Sequence, residues 1–144
     1  MLIGIDPLLG PELLAHLRSM GHGDELVIAD ANFPAASVAR RLVRAEGATV
    51  PQMLAAVLAL LPLDTFVDSS VCVMEVVGSA ALCAPITEEF RGIVAARAGP
   101  RFAKIAGMER FAFYERARQA YAVVATGERR TYGNIILRKG ILEP

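Results

Sequence analysis

The order of apolar and polar positions predicts helices in four segments of the chain. In each segment apolar residues recur at helical spacing, and proline, glycine or acidic residues mark the ends. The four helices are expected in GPELLAHLRSMG (10–21), VPQMLAAVLALLP (50–62), PITEEFRGIVAARAG (85–99) and ERFAFYERARQA (109–120). In the first, Pro11 suits the first turn, and Gly21 is expected to end the helix in a left-handed conformation.

Shorter runs rich in β-branched residues predict strands. ELVIAD (25–30) is too short for a helix and is apolar between its two acidic ends, so it predicts a strand buried on both faces. Further strands are expected in RRLVRA (40–45), VCVMEVV (71–77), RFAKIA (101–106), YAVVAT (121–126) and NIILRKG (134–140). The last two flank a turn-forming loop, in which Gly127 and Gly133 are expected to adopt unusual backbone angles.

Strands and helices alternate almost throughout the sequence, which is typical of layered α/β folds. The length of 144 residues is that of one ordinary domain. We therefore predict an α/β fold with a single domain over residues 1–144, in which helices flank a central, mostly parallel sheet.

The amino-acid composition limits the kinds of partner that the protein is expected to bind. The 15 basic and 15 acidic residues cancel and form no long basic block, which argues against nucleic acid as a partner. Hydrophobic residues make up 54% of the chain, yet no apolar run approaches the roughly 18 residues of a membrane span. We expect no membrane contact and attribute the excess to surfaces buried between copies of the chain.

Two further expectations follow from the distribution of particular residues. The first residues, MLIGIDPLLGP, include an acid and two prolines, which is not the pattern of a secretory signal, so we expect a cytoplasmic protein. Cys72 and Cys83 form no CxxC pair, and the chain has only two histidines. Buried thiols are therefore a better interpretation than a metal site.

The segment MGHGDELVIAD (20–30) carries the first candidate for chemistry. His22 lies between two glycines at a predicted edge of the sheet, and an unperturbed imidazole gains or loses a proton near pH ~6.5. The alternative is that His22 only bonds to the last carbonyls of the preceding helix. Asp30 ends the strand where open α/β sheets bind ligands, although it could instead form an Asx turn.

Other polar residues are ambiguous on sequence grounds. Tyr114 belongs to an aromatic series with Phe111 and Tyr121 that is typical of a core, but its hydroxyl needs a partner if buried. Arg110 opens a helix, where its charge is unfavourable unless another group or a ligand offsets it. Asp64 could be an ordinary residue after a helix, and the segment 131–134 could be a hairpin turn.

Taken together, the His, Asp, Tyr, Asn and Arg candidates suit a polyhydroxyl ligand and acid/base chemistry without identifying one reaction. Four longer motifs are more specific. They are GPELLAHLRSMGHGDELVIADANFPA (10–35), LLPLDTFV (60–67), ERFAFYERARQAYAVVATGE (109–128) and YGNIILRKG (132–140). Over nearly the whole chain this set resembles the fucose mutarotase and ribose pyranase family, with NFPA and RFAFYERA favouring the fucose-type branch.

The resemblance implies an isomerase that interconverts the α and β anomers of a free monosaccharide, with L-fucose the typical substrate and no cofactor. It also implies ring-shaped homo-oligomers, commonly decamers, whose sites lie at subunit contacts. Two alternatives stay open, a non-catalytic monosaccharide-binding or transport-associated module and a ribose pyranase-type activity. A purely structural ring subunit would bind no sugar at all.

Residue roles follow from the same resemblance. His22 matches the proton donor of the family, and Tyr114 matches a tyrosine implicated in catalysis. Positions that contact sugar in the family are matched by Asp30, Arg110, Tyr132, Gly133 and Asn134, and Asp64 matches a position assigned to substrate contact in some members. Our hypothesis is that His22 moves a proton at the anomeric centre, with Tyr114 or water as the complementary group.

Overall fold

The structure is a computed structural model that describes residues 1–79 and 83–144, and a six-stranded sheet lies at its centre. The strands are β1 (Glu25–Ala29), β2 (Leu42–Ala45), β3 (Val71–Met74), β4 (Ile105–Met108), β5 (Ala122–Thr126) and β6 (Ile135–Arg138). The helices are α1 (Pro11–Ser19), α2 (Ala35–Val38), α3 (Val50–Leu58), α4 (Ile86–Arg97) and α5 (Arg110–Gln119).

The sheet has the order β2-β5-β1-β6-β3-β4. Strand β6 is antiparallel to both of its neighbours, while the remaining pairs β2–β5, β5–β1 and β3–β4 are parallel. This confirms the predicted α/β fold with a mostly parallel sheet. Because β1 lies between β5 and β6, the last two strands do not form a hairpin, so the hairpin interpretation of residues 131–134 was wrong.

Helices cover both faces of the sheet, and the central strand shows why. Leu26 and Ile28 of β1 belong to one apolar core, together with side chains of α1, α3 and α4. Val27 and Ala29 belong to the other core, with side chains of α2 and α5. All four are fully buried, as expected for a strand with uniformly apolar residues.

The end of α1 differs from the prediction. Gly21 does not have a positive φ, and Met20 already leaves the helix with extended angles (φ −60°, ψ 137°). The free carbonyls of the last turn are instead satisfied from another part of the fold, because Lys139 Nζ donates to Leu17 O at 3.2 Å and also to Met20 O. A distant lysine thus does what a glycine cap does in many helices.

The loop glycines also have a different purpose from the one predicted. Neither Gly127 nor Gly133 has a positive φ. A Cβ on Gly127 would lie 2.1 Å from Glu46 O, and one on Gly133 would lie 3.0 Å from Arg130 O. These glycines are therefore required by close backbone approach, which sequence spacing does not reveal.

Two further predictions differ from the structure by a few residues. Residues Pro100–Phe102 form a short 3-10 turn, so the strand predicted over 101–106 begins only at Ile105. In α5 the core aromatic is Phe113, which is fully buried, whereas Phe111 is 69% exposed. The aromatic spacing alone could not distinguish the face that packs on β3 from the one that points outwards.

Candidate functional site

The predicted site residues lie at two opposite ends of the sheet. Asp30 follows β1 and Asn134 precedes the antiparallel β6, so both lie at the carboxyl end of β1. His22 precedes β1, and it contacts Asp64, which is bound to Arg138 at the end of β6. A five-residue strand at about 3.3 Å per residue separates the two ends by roughly 16 Å.

A pocket of about 210 Å³ occupies the carboxyl end. It brings together most of the predicted residues, namely Asp30, Arg110, Tyr114, Tyr132 and Asn134. Sequence reasoning missed four further lining residues, Asn32, Phe33, Met74 and Thr131. Asn32 and Phe33 directly follow the strand-ending Asp30, so their position after a strand end was the available signal.

Asp30 is buried and is bound by donors from two loops. Its Oδ1 accepts the Asn32 N–H at 2.9 Å, while its Oδ2 accepts the Gly133 N–H and the Asn134 Nδ2 group, each at 3.1 Å. The Asx turn, the alternative interpretation of Asp30, is therefore present. Burial raises the pKa of Asp30 above its ordinary value, and these donors only partly oppose the rise.

Asn134 is held by the reciprocal contact, since its Oδ1 accepts the Asp30 backbone N–H at 2.8 Å. The preceding Tyr132 has a φ of 59°, which is uncommon for a residue with a side chain. Its hydroxyl accepts the Val77 N–H at 3.3 Å. The tyrosine and the amide are thus fixed at the mouth of the pocket by backbone contacts.

Helix α5 supplies the opposite wall. Glu109 caps the helix, because its Oε2 accepts the N–H groups of Phe111 and Ala112 at 2.9 and 3.1 Å. This carboxylate offsets the unfavourable position of Arg110 in the first turn. The Arg110 guanidinium lies 5.5 Å from the Tyr114 ring centroid, close enough for a cation–π contact beside the pocket.

The amino end of the sheet holds His22 and Asp64. His22 Nε2 lies 3.1 Å from Asp64 Oδ1, and the His22 side chain is 44% exposed whereas Asp64 is 1% exposed. Asp64 Oδ1 also accepts the Phe66 N–H, and its Oδ2 accepts Arg138 Nε, both at 3.0 Å. Among the described residues His22 makes no hydrogen bond to the last carbonyls of α1, and Asp64 is a buried, paired carboxylate rather than an ordinary residue after a helix.

The charge state of Asp64 follows from its partners. Burial alone would raise its pKa, but the Phe66 N–H, His22 and Arg138 together hold the pKa below its ordinary value. Asp64 is consequently ionised at neutral pH and directs its negative charge at the adjacent imidazole. In the described part of the chain, His22 Nδ1 has no hydrogen-bond partner, and the imidazole lies beside the Phe66 ring, 5.4 Å away between centroids.

Other candidate chemistry is limited. Within residues 1–79 and 83–144 there is no cluster of three or more His, Cys, Asp or Glu side chains suited to a metal ion. Cys72 is buried as expected, whereas Cys83 is only partly buried. Burial raises the pKa of both thiols, which keeps them protonated. None of the helices in the described ranges is long and apolar enough to cross a membrane.

Comparison with known proteins gives a consistent result. The model of the RbsD / FucU transport protein family matches residues 3–142. The chain is 54% identical to the Homo sapiens protein named fucose mutarotase, covering 96% of this chain and 93% of that one. It is 53% identical to the Bos taurus fucose mutarotase, covering 100% of this chain and 96% of the relative.

A solved structure gives the same indication. The crystal structure of the fucose mutarotase in complex with L-fucose from Streptococcus pneumoniae superposes with a TM-score of 0.91 at 44% sequence identity. The match covers 99% of this chain and 100% of that one. The similarity therefore extends over the whole fold, including both ends of the sheet.

Proposed function

We propose, from the premise that this chain belongs to the RbsD / FucU transport protein family, that it interconverts the α and β anomers of L-fucose. The protein is then an isomerase that acts on a free monosaccharide. The relatives named fucose mutarotase and the relative solved with L-fucose support this activity over a ribose pyranase-type activity and over a purely binding module.

The proposal rests on one observation, the composition of the pocket at the carboxyl end. Arg110, Asn134 and Tyr132 offer charged, amide and hydroxyl groups within one small cavity, as a polyhydroxyl ligand requires. Phe33 and Met74 form an apolar part of the same lining. This mixture suits a 6-deoxy sugar such as L-fucose, which presents a methyl group together with several hydroxyls.

We propose that the complete site forms between two copies of the chain. A single copy keeps His22 at the opposite end of the sheet from Asn134, too far for both to contact one sugar ring. Apolar side chains are exposed at both ends, with Phe66 and Phe111 each 69% exposed and Leu142 83% exposed. Contact between the amino end of one copy and the carboxyl end of the next is a heterologous interface. Such interfaces close into a ring when the rotation between successive copies allows it.

The number of copies and the compartment rest on the family resemblance and on the sequence. We propose a ring of ten copies in the cytoplasm that works without a cofactor. The exposed apolar side chains noted above support assembly rather than any particular number of copies.

The mechanism assigned to the two ends follows from the chemistry of mutarotation. The anomeric hydroxyl loses a proton and the ring oxygen gains one, so the ring opens to an aldehyde; rotation about the C1–C2 bond and the reverse transfers close it with the other configuration. In our proposal His22 carries one of these protons through Nδ1, because Nε2 is directed at Asp64. The ionised Asp64 stabilises the imidazolium that forms.

The carboxyl end binds the sugar and supplies the complementary group. Arg110 and Asn134 hold hydroxyls, and Asp30 fixes the amide of Asn134. Tyr114 lies on the same wall as Arg110, so its hydroxyl, or a water held by it, is placed to exchange the second proton. Both protons return to their starting groups after one cycle, so no external acid or base is consumed.

The experiment is saturation transfer between the two anomeric proton signals of L-fucose. Wild-type protein is expected to accelerate exchange, and His22→Ala is expected to reduce that rate by about 100- to 10,000-fold, the usual contribution of a positioned acid/base group. His16→Ala is the matched control, since His16 lies on α1 against Tyr121 and outside both ends. It is expected to keep the wild-type rate.

The alternatives make different predictions in the same experiment. Binding of L-fucose without accelerated exchange would support the binding module, and faster exchange with D-ribose than with L-fucose would support the pyranase-type activity. No binding of any monosaccharide would leave only a structural role. Exchange at the wild-type rate in His22→Ala would show that His22 is not the proton carrier.

A further inference from the structure

A line of paired charges begins at His22 and ends on helix α5. His22 contacts Asp64, whose Oδ2 accepts Arg138 Nε at 3.0 Å. Arg138 Nη1 lies 3.8 Å from Glu25 Oε1. Glu25 in turn accepts two-pronged hydrogen bonds from Arg116, at 2.9 Å from Nε and 2.6 Å from Nη2.

The groups in this line are partly withdrawn from water, which strengthens their contacts. The side chains of Asp64 and Glu25 are 1% and 12% exposed, and that of Arg138 is 37% exposed. An isolated exposed ion pair contributes little, whereas a network at a partly buried position holds its members in one geometry. Arg138 is the only link between the two carboxylates in this line.

We propose that Arg138 is a positioning residue that fixes the carboxylate of Asp64 against His22 and, through Glu25 and Arg116, aligns this dyad with helix α5. The inference rests on the proposed function, in which His22 transfers a proton at one site while Arg110 and Tyr114, on α5 of the same copy, belong to the sugar pocket of the neighbouring site. Arg138 touches Asp64 rather than a substrate, so it acts through its neighbours.

The shape of the chain near His22 supports this role. Gly23 has a φ of 84°, and a Cβ there would lie 3.2 Å from Arg138 Nη2. The guanidinium therefore packs directly on the backbone next to His22. Its planar group can bond Asp64 through Nε while another nitrogen faces Glu25, which a lysine ammonium cannot reproduce.

The charges around the dyad set the sign of the expected pH effect. Besides Asp64 and Arg138, the charged groups near His22 are Glu25, Asp24, Arg18 and Lys139. Asp24 accepts the Gly21 N–H, and Lys139 is engaged by the carbonyls that end α1. Removal of Arg138 thus takes away the cation that directly neutralises Asp64, so the Asp64 carboxyl binds a proton more tightly and its negative charge acts on the imidazole without compensation.

The test compares Arg138→Gln, Arg138→Lys and the control Arg44→Gln, which breaks a pair with Glu46 between side chains that are 62% and 57% exposed. Exchange of L-fucose anomers is measured against pH and sugar concentration. Because the chain has only His16 and His22, ring carbon labelling also follows the His22 titration directly, with His16 as an internal reference.

In Arg138→Gln we expect exchange at saturating sugar to fall about tenfold with little change in the half-saturating concentration. The acid limb of the pH profile and the His22 signals are expected to change, while the His16 signals do not, because only His22 contacts Asp64. Arg138→Lys should restore the titration more fully than the exchange rate, because lysine keeps the charge but not the planar geometry.

Three outcomes would overturn the proposal. The first is an unchanged His22 titration in Arg138→Gln. The second is a loss of exchange that Arg44→Gln reproduces, since that would be a general effect on the fold. The third is full recovery of exchange by lysine. If wild-type protein accelerated no sugar exchange, the proposed function would fail, while the His22 titration would still decide whether Arg138 fixes the dyad.

Discussion

The two ends of the sheet contain the same kind of group in opposite surroundings. Asp30 and Asp64 are both buried aspartates, 4% and 1% exposed. Asp30 is bound by amide N–H groups, and its pKa is raised, whereas Asp64 lies between His22 and Arg138, and its pKa is lowered. Charged partners, rather than burial, therefore distinguish a carboxylate that supports proton transfer from one that organises a binding pocket.

Their neighbours differ in the same way. At the carboxyl end, the amide of Asn134 is fixed by two contacts with Asp30, which suits recognition of hydroxyl geometry. At the amino end, the imidazole of His22 is 44% exposed, and its Nδ1 has no hydrogen-bond partner among the described residues. One end is preorganised for binding, and the other keeps a titratable group accessible, so the proposed reaction needs both.

The strongest test of this division is complementation between two inactive variants. Asn134→Ala damages only the binding end and His22→Ala only the proton-transfer end, so each alone is expected to lose about 100-fold or more in anomer exchange. If each site takes one end from each of two copies, random co-assembly leaves both ends intact at roughly a quarter of the interfaces. Unfolding and refolding the mixed variants together should therefore recover about that fraction of wild-type exchange.

A matched control accompanies this experiment. The same two variants refolded separately and then mixed under conditions in which oligomers do not exchange should stay inactive. The double variant His22→Ala with Asn134→Ala has neither end intact. When it is refolded with wild-type protein, exchange should come only from interfaces between two wild-type copies. Absence of recovery in true mixed oligomers would contradict the division of the site between copies.

A second test uses the opposite pKa shifts of the two aspartates. Because the pKa of Asp64 is lowered on folding, its contribution to stability is present above about pH 3.8 and is lost as the pH falls through its folded value. Because the pKa of Asp30 is raised, its ionisation costs stability as the pH rises from about 3.8 through its folded value. The two carboxylates therefore respond to acid with opposite signs.

Urea unfolding of Asp64→Asn and Asp30→Asn across this pH range would measure the effect. The loss of unfolding free energy in Asp64→Asn is expected to be larger at neutral pH than in acid, and that in Asp30→Asn to be larger in acid. A difference of one bound proton changes the free energy by at most about 1.4 kcal/mol per pH unit. Parallel pH curves for the two variants would show that the surroundings of the two aspartates are equivalent.

The sequence predicted the elements better than the arrangement of the site. The apolar run before Asp30 and the helical spacing in residues 85–99 were sufficient to predict β1 and α4. The spacing of apolar residues along the chain shows directly which positions of a strand or helix are buried. The separation of His22 from Asn134 was not accessible, because it depends on β6 running antiparallel to β1. Contacts such as that of Lys139 with the end of α1 join residues more than a hundred positions apart.

The glycines on either side of His22 provide the finest test of the comparison. Gly21 has no positive φ, and a Cβ there would meet only Asp24 Oδ2 at 3.7 Å, an ordinary contact. Gly21→Ala is therefore expected to be neutral or to stabilise the fold by about 0.5 kcal/mol, through the unfolded state.

Gly23→Ala is expected to cost about 1 kcal/mol, because it places a side chain at a φ of 84°. Its Cβ would also press on Arg138 Nη2 at 3.2 Å, so exchange should fall further than stability alone explains. Chemical unfolding and anomer exchange measured on both variants separate these effects. Equal effects of the two substitutions on unfolding and on exchange would mean that neither glycine shapes the surroundings of His22. The expected difference between them would assign Gly23 to the proton-transfer end and show that Gly21 can be replaced.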